Sequence, residues 1–205
     1  MRYTHFLCIP LVTTISRPQL SASLRDLSTN IADLGIPSSV VRPLSTMHLT
    51  LGNMRLPEAK DIKKATEVLQ SIKPLLPNTP VKISLHGLHA FPTADQSHAD
   101  ILFAPPICLH YDFNRLCHKI RHIFEEADVV DKNGFGLSLH ATLINARKKT
   151  LSGSIDAKGL IEKYQDYVWM EDVPVEKIGI CRMGAEKIGP DDEEYVIITS
   201  IDFRS

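Results

Sequence analysis

The chain has 205 residues, a formal net charge of −1 and 43% hydrophobic residues. The balanced charge excludes the broad basic field of a duplex-binding protein, and the hydrophobic content excludes an acidic disordered chain. A chain of this length can bury a core without disulfides or metal ions, and it suits one large domain or two lobes that share a core.

Apolar residues at strand and helix spacings predict alternating elements along the chain. A strand at 5–12 precedes a helix at 16–34, which Gly35 and Pro37 end. Further helices are predicted at 57–72, 111–127 and 155–164, and further strands at 46–54, 81–88, 99–104, 136–145, 175–183 and 195–203. Because the strands near residues 50 and 140 each follow a helix that would pack on the sheet, this order is typical of a duplicated α+β unit.

The cysteines and the apolar segments indicate the cellular compartment of the protein. The four cysteines are scattered without a Cys-x-x-Cys pair, which is typical of the reduced thiols of an intracellular protein. No apolar run approaches the roughly 20 residues of a membrane span. The short apolar stretch at 6–12 is interrupted by Pro10, which favours a core strand over a signal peptide. We therefore expect the cytoplasm or the nucleus, with no membrane association.

Two short segments, one in each half of the chain, repeat the same pattern. Residues 48–51 read His-Leu-Thr-Leu and residues 140–143 read His-Ala-Thr-Leu. Each alternates polar and apolar residues, so the histidine and the threonine of each segment share one face of a strand. By composition, His-x-Thr-Leu is expected about 0.06 times by chance, and twice with a probability on the order of 0.002. The repeat therefore indicates function, since two imidazoles facing one cleft can give and take a proton in one reaction.

The paired His-x-Thr-Leu strands resemble those of the 2H phosphoesterase superfamily. The opening strand at 4–11 is similar to that of the eukaryotic branch, which includes the central domain of A-kinase anchoring protein 18 and the phosphoesterase domain of activating signal cointegrator 1 complex subunit 1. Residues 87–88 with 100–104 are similar to the middle hairpin of that branch, and residues 200–203 to its last strand. The likeness covers nearly the whole chain.

The resemblance implies a single bilobal α+β domain over residues 1–205, with a LigT-like fold. Two antiparallel sheets would form a central cleft, with helices outside. It also implies a metal-independent phosphodiesterase without a cofactor, whose substrates are RNA or nucleotide phosphoesters, typically 2′,5′-linked or 2′,3′-cyclic. We expect a monomer, and the sequence does not indicate which proteins, if any, it binds. Members of the superfamily hydrolyse, transesterify or only bind nucleotides, so an AMP-binding or scaffolding module with little turnover is the alternative.

The residues themselves supply a mechanism for such a reaction. An in-line displacement at phosphorus needs a base at the attacking oxygen and an acid at the leaving oxygen, roles that His48 and His140 can take in either order. Thr50 and Thr142 can donate hydrogen bonds to the non-bridging oxygens, where charge accumulates. Arg182, in a late strand, is a further candidate to bind the phosphate, although an ordinary surface charge is the simpler interpretation.

The remaining candidates have simpler interpretations. Phe91, Phe135 and Tyr195 could stack on a base, but such rings more often pack in a core or a loop. The basic run at 147–149 could attract an anionic substrate, or be only a solvated loop. A helical pair, His118 and His122, has the spacing of a zinc site, yet it lies opposite the apolar stripe and no third ligand completes it. The sequence therefore predicts no metal site.

Overall fold

A computed structural model of the chain describes residues 2–91, 96–132, 136–147 and 152–203. The helices are α1 (Ser16–Asp33), α2 (Ala59–Ser71), α3 (Phe113–Glu126) and α4 (Lys158–Lys163). The strands are β1 (His5–Pro10), β2 (His48–Met54), β3 (Lys82–His86), β4 (His89–Phe91), β5 (Ile101–Ala104), β6 (Pro106–Ile107), β7 (Ala141–Asn145), β8 (Val168–Pro174), β9 (Lys177–Arg182), β10 (Glu186–Lys187), β11 (Glu193–Glu194) and β12 (Ile197–Asp202).

The largest sheet has seven antiparallel strands in the order β12-β9-β1-β2-β7-β5-β4. It consists of two parts, β12-β9-β1-β2 and β7-β5-β4, and in the described part of the chain β2 pairs with β7 at Leu49 and Ala141. The two motif strands, β2 and β7, are therefore the innermost strands of their parts and lie side by side. This confirms the predicted α+β fold with two antiparallel sheets that meet at a cleft.

The helices form where the sequence provides caps and an apolar stripe. Asp112 is the N-cap of α3, and its carboxylate accepts a hydrogen bond from the backbone N–H of Arg115. Side chains of Glu58 and Asp61 form a capping box that begins α2. The buried faces of the helices join a single core that runs through both parts of the sheet. That shared core holds β2 and β7 in fixed positions.

A smaller sheet of three strands, β6-β3-β8, packs against α1. The hydroxyl group of Ser23 in α1 donates to the carbonyl oxygen of Trp169 in β8, at 3.0 Å. The sequence pattern did not predict β8, since residues 168–174 lack regular alternation. Asp172 has a positive φ of 51°, so the strand is irregular at that residue and the period of two is lost.

Two other boundaries differ from the prediction. The second motif strand was predicted from residue 136, but β7 begins at Ala141, so His140 directly precedes it. The strand predicted at 81–88 is observed as β3, and a separate strand that was not predicted, β4, pairs with β5. All four cysteines are free thiols. Among the helices of the described residues, none has the length and apolar character required to cross a bilayer.

Candidate active site

The pairing of β2 with β7 places the two motifs against each other. Leu49 and Ala141 are opposite residues, and both side chains are fully buried on the core side of the sheet. In an antiparallel pair the next residues lie opposite each other on the other face, so Thr50 faces His140, and His48 faces Thr142. The two histidines are then diagonal neighbours across the strand pair, for which a Cα–Cα distance of about 7–8 Å is usual. All four motif side chains thus share one face.

Both imidazoles are oriented by the same local hydrogen bond. In His48, Nδ1 lies 2.7 Å from the carbonyl oxygen of Thr46, and in His140 it lies 2.7 Å from the carbonyl oxygen of Ser138. A carbonyl oxygen only accepts, so Nδ1 carries the proton in each ring and Nε2 is left for chemistry. The hydroxyl group of Thr50 is 3.1 Å from Nε2 of His48 and donates to it when the ring is neutral.

Aromatic rings and one cation surround His48. The ring of Phe6 is 5.0 Å from the imidazole, and the ring of Tyr195 stands edge-on to it at 5.3 Å, both measured between centroids. Burial lowers the pKa of His48 to about 4, which the hydrogen bond to Thr46 opposes and the positive charges of Arg42 and His140 reinforce. His48 is therefore neutral at physiological pH, with a lone pair on Nε2.

His140 has a different environment. The rings of Phe91 and Phe103 each lie 5.4 Å from its imidazole, and the two phenylalanine rings stack on each other at 4.4 Å. Phe103 stands opposite Thr142 in the β5–β7 register, so these rings belong to the same face as the motif. One side of His140 is thus aromatic, and its other side borders open space.

That open space is a cavity of about 590 Å³ where β2 and the segment before β7 diverge. Thr50 and His140 both line it, which agrees with their opposite positions in the register. Its other polar side chains include Tyr3, Asn53, Arg121, Asp131 and Ser138. His48 instead lines a separate pocket of about 90 Å³. The two motifs therefore offer one open and one enclosed side to a substrate.

The structure does not bring Arg182 to this face. Arg182 stands opposite His5 in the β1–β9 register, whereas Phe6, which contacts His48, stands opposite Cys181. Neighbouring residues of a strand point to opposite faces, so the guanidinium group lies on the other side of the sheet. It forms an ion pair there with Glu186. The motif histidines and threonines come together, and Arg182 does not join them.

Of the other residues that the sequence suggested for the site, some lie beside the motifs and some do not. Phe91 and Tyr195 lie at the site, each in contact with one motif histidine, whereas Phe135 lies outside the described residues. In the basic run, Arg147 pairs with Asp100 at 2.6 Å, and residues 148–149 also lie outside the described residues. Within the described ranges, no group of three or more His, Cys, Asp or Glu side chains is arranged to hold a metal ion.

Sequence reasoning missed three residues of this face, namely Phe6, Arg42 and Phe103. Phe6 could have been found, since its spacing on β1 puts it on one face with Cys8, which pairs with Thr50. Arg42 and Phe103 carry no comparable signal. Phe103 contacts His140, and Arg42 contacts Tyr195, and both contacts join segments that are distant in sequence.

The chain is similar to known proteins along most of its length. Residues 3–203 match the family model of the AKAP7 2′5′ RNA ligase-like domain. The uncharacterised protein C15D4.13c of Schizosaccharomyces pombe is 26% identical over 193 residues, which cover 90% of each chain.

Solved structures share the fold across nearly the whole chain. TT0787 of Thermus thermophilus has a TM-score of 0.65 at 16% identity and covers 98% of both chains. Escherichia coli LigT complexed with 3′-AMP has a TM-score of 0.61 at 13% identity and covers 99% of both chains. Kluyveromyces marxianus Usb1 with uridine monophosphate has a TM-score of 0.50 at 14% identity and covers 98% of this chain and 97% of that chain. At these identities the likeness establishes the fold alone.

Proposed function

The chain belongs to the family of AKAP7 2′5′ RNA ligase-like domains, within the 2H phosphoesterase superfamily, and we propose that it is a metal-independent phosphodiesterase of RNA-type phosphoesters. Its substrates would be 2′,5′-linked oligonucleotides or 2′,3′-cyclic phosphates. The observation that carries this proposal is the antiparallel contact of the two motifs at Leu49 and Ala141, which puts two imidazoles and two hydroxyl groups on one face. That set covers the base, the acid and the donors that a displacement at phosphorus needs.

The difference between the two imidazoles suggests their roles. His48 is neutral, so its Nε2 takes the proton of the attacking hydroxyl while that oxygen forms its bond to phosphorus. The attacking group is water for a cyclic phosphate and the adjacent sugar hydroxyl for a 2′,5′ linkage. His140 gives the proton of its Nε2 to the leaving oxygen as the second phosphorus–oxygen bond breaks. The cycle ends with a charged His48 and a neutral His140, and proton exchange with water restores both.

A nucleotide suits the dimensions and the lining of the site. The cavity of about 590 Å³ is within the usual range of roughly 300–1,000 Å³ for small-molecule sites. Phe91, whose ring lies 5.4 Å from the imidazole of His140, provides aromatic surface for a base. The similar folds of LigT, solved with 3′-AMP, and of Usb1, solved with uridine monophosphate, support a nucleotide as the ligand.

One observation favours the alternative of a nucleotide-binding module. The Nε2 atom of His48 is already engaged by Thr50, and the pocket that His48 lines is only about 90 Å³. A protein that binds AMP without turnover would need no access for an attacking group at this imidazole. Turnover and binding must therefore be measured on the same samples.

The test is a substrate panel with EDTA present throughout. Wild-type protein is incubated with 2′,5′-oligoadenylate, 2′,3′-cyclic nucleotides and 3′-uridylated RNA, and AMP binding is measured in parallel by calorimetry. We expect turnover of at least one substrate class, lost in His48→Ala and His140→Ala. The matched control is His122→Ala, which changes an exposed histidine of α3.

Two results would contradict the proposal. Loss of turnover with EDTA, restored by zinc or manganese, would show that a metal takes part. AMP binding without turnover of any panel member would favour the binding module.

A further inference from the structure

Two residues from distant segments meet beside His48. Nη2 of Arg42 donates a hydrogen bond of 2.8 Å to the hydroxyl group of Tyr195, and the guanidinium carbon lies 5.9 Å from the centre of the Tyr195 ring. The Tyr195 ring in turn stands edge-on to the imidazole of His48, with an interplanar angle of 85°. A chain of direct contacts therefore leads from Arg42 through Tyr195 to His48.

Both residues are held by backbone and side-chain contacts of their own. The backbone N–H of Arg42 donates to the carbonyl oxygen of Leu143, the last residue of the second motif, at 2.8 Å. Tyr195 directly follows β11, and nearby Asp192 accepts hydrogen bonds from the N–H of Ser45 at 2.9 Å and from its hydroxyl group at 2.6 Å. The hairpin that carries Tyr195 is thus bound to the segment that leads into β2.

Phe6 completes the enclosure of the imidazole. Its ring contacts Tyr195 edge-on at 4.8 Å and His48 at 5.0 Å. The Nδ1 bond to Thr46 fixes one edge of the imidazole, and these two rings fix its plane. If Tyr195 were truncated, one of the two walls would be lost and the ring could rotate about its Cβ–Cγ bond.

We propose that Arg42 and Tyr195 are positioning residues for His48, in which Tyr195 fixes the plane of the imidazole and Arg42 anchors Tyr195 and places a positive charge beside the ring. This inference rests on the proposed function, because the imidazole must meet the attacking oxygen at one angle. A misplacement of about 1 Å in such a group can cost about 10²-fold in rate.

The charge of Arg42 makes the inference measurable without a substrate. Burial is the main cause that lowers the pKa of His48, and Arg42 and His140 add to it. Removal of the Arg42 charge should therefore raise the pKa of His48. The other titratable or charged side chains around this pocket come from α1, β1, β9 and β11 and from the residue after β11, and they are Arg17, Cys8, Lys177, Cys181, Glu194 and Tyr195. Substitutions of Arg42 leave all of these side chains in place.

The experiment compares charge-changing and shape-changing variants. The resonances of His48, assigned with a His48→Gln variant, are titrated by NMR in the wild type, Arg42→Gln and Arg42→Lys. The pH dependence of kcat/KM is recorded for the same proteins and for Tyr195→Phe and Tyr195→Leu. Its acidic limb reports the base of the free enzyme.

We expect Arg42→Gln to raise the pKa of His48 and to move the acidic limb of the kcat/KM profile to higher pH. Arg42→Lys, which keeps the positive charge, should leave the pKa and the acidic limb close to those of the wild type. Tyr195→Leu should lower kcat on the order of 10-fold to 10²-fold with a small change in KM, and Tyr195→Phe, which keeps the ring, should lose less. Tyr111→Phe and Arg115→Lys are controls for the loss of a hydroxyl and for a changed arginine, since both residues are exposed, Tyr111 before α3 and Arg115 in its first turn.

The outcomes separate this inference from the proposed function. An unchanged pKa of His48 in a folded Arg42→Gln protein, or an unchanged kcat in a folded Tyr195→Leu protein, would overturn the positioning role. Thermal melting establishes that each variant is folded. If the pKa moves but the wild type turns over no panel substrate, the contact chain stands and the proposed phosphodiesterase activity fails.

Discussion

The two motifs of this protein are nearly identical in sequence and differ in their surroundings. In both, Nδ1 of the histidine donates to the carbonyl oxygen two residues earlier, at 2.7 Å. Yet His48 is enclosed by Phe6 and Tyr195 beside a pocket of about 90 Å³, whereas His140 borders a cavity of about 590 Å³. The ring orientation is thus a local property of the motif, but access and charge are set by the fold.

This difference gives a chemical asymmetry to a symmetrical pattern. A general base must be neutral before it acts, and a general acid must reach the leaving oxygen with a proton to give. Burial and the Arg42 charge keep His48 neutral, whereas His140 borders an open cavity. In the proposed mechanism, the surroundings of each motif, rather than its sequence, therefore distinguish the base from the acid.

The largest expected effect is the loss of either imidazole. His48→Ala and His140→Ala should each lower turnover by about 10²–10⁴, the usual contribution of a positioned acid or base. Both should remain folded, because the side chains face the cleft and the core partners Leu49 and Ala141 are unchanged. Circular dichroism and turnover on the same samples check this.

A substrate with a nitrophenolate leaving group sharpens the comparison. Nitrophenolate needs no proton in order to leave, so His140→Ala should lose much less activity on a nitrophenyl phosphodiester than His48→Ala does. Equal losses of the two variants on this substrate would contradict the assignment of base and acid.

The next effect is on stability as a function of pH. The pKa of His48 is about 4 in the folded protein against 6.5 for an ordinary histidine, so between these values the unfolded chain binds a proton that the folded chain does not. The free energy of unfolding should therefore fall as the pH drops from 6.5 to 4, with about 3 kcal/mol from this group. His48→Gln should remove that part of the slope.

Denaturant unfolding at several pH values checks this prediction. Some slope will remain in the variant, because burial and Arg182 also lower the pKa of His5. Above pH 7.5 the difference between wild type and His48→Gln should be constant, which is the internal control. A full acidic slope in the variant would show that His48 is not the buried neutral group.

Smaller effects are expected for the threonines. Thr50→Ala and Thr142→Ala should lower turnover on the order of 10-fold to 10²-fold, because one lost donor leaves the other in place. Thr50→Ala should cost more, since its hydroxyl group bonds to Nε2 of His48 and also lines the cavity beside His140. Single-turnover kinetics of the two alanine variants and of the matched Thr→Ser variants test this order. A larger loss in Thr142→Ala than in Thr50→Ala would contradict this prediction.

Residue periodicity was sufficient to predict most of the fold. The stripes that predict helices at 16–34 and 111–127 correspond to α1 and α3, because a helix must bury one face and its spacing is visible in one segment. It failed at β8, where Asp172 has a left-handed backbone conformation and the alternation is lost. Local patterns therefore report elements only where the backbone is regular.

The candidate site likewise contains residues that a local pattern predicts and residues that it does not. Its four motif residues are visible because each pair is local and the pattern occurs twice. The contact of Arg42 with Tyr195 spans 153 residues, and that of Phe103 with His140 spans 37, so no single segment shows either contact. Arg182 was a candidate to bind the phosphate because it lies in a late strand, and the β1–β9 register places it on the face away from the motifs.

The smallest expected effect is that of Arg182→Gln, and it tests this account of the two arginines directly. Arg182 is exposed, pairs with Glu186 and stands opposite His5, on the side of the sheet away from Phe6 and His48. Its replacement should leave kcat/KM nearly unchanged, because the β1–β9 register places its side chain on the face away from both motifs. Arg42→Gln, an identical chemical change, should lower kcat/KM clearly more near the acidic limb. If Arg182→Gln raises KM severalfold while Arg42→Gln does not, the substrate reaches beyond the described face and the sequence-based choice of Arg182 would be right.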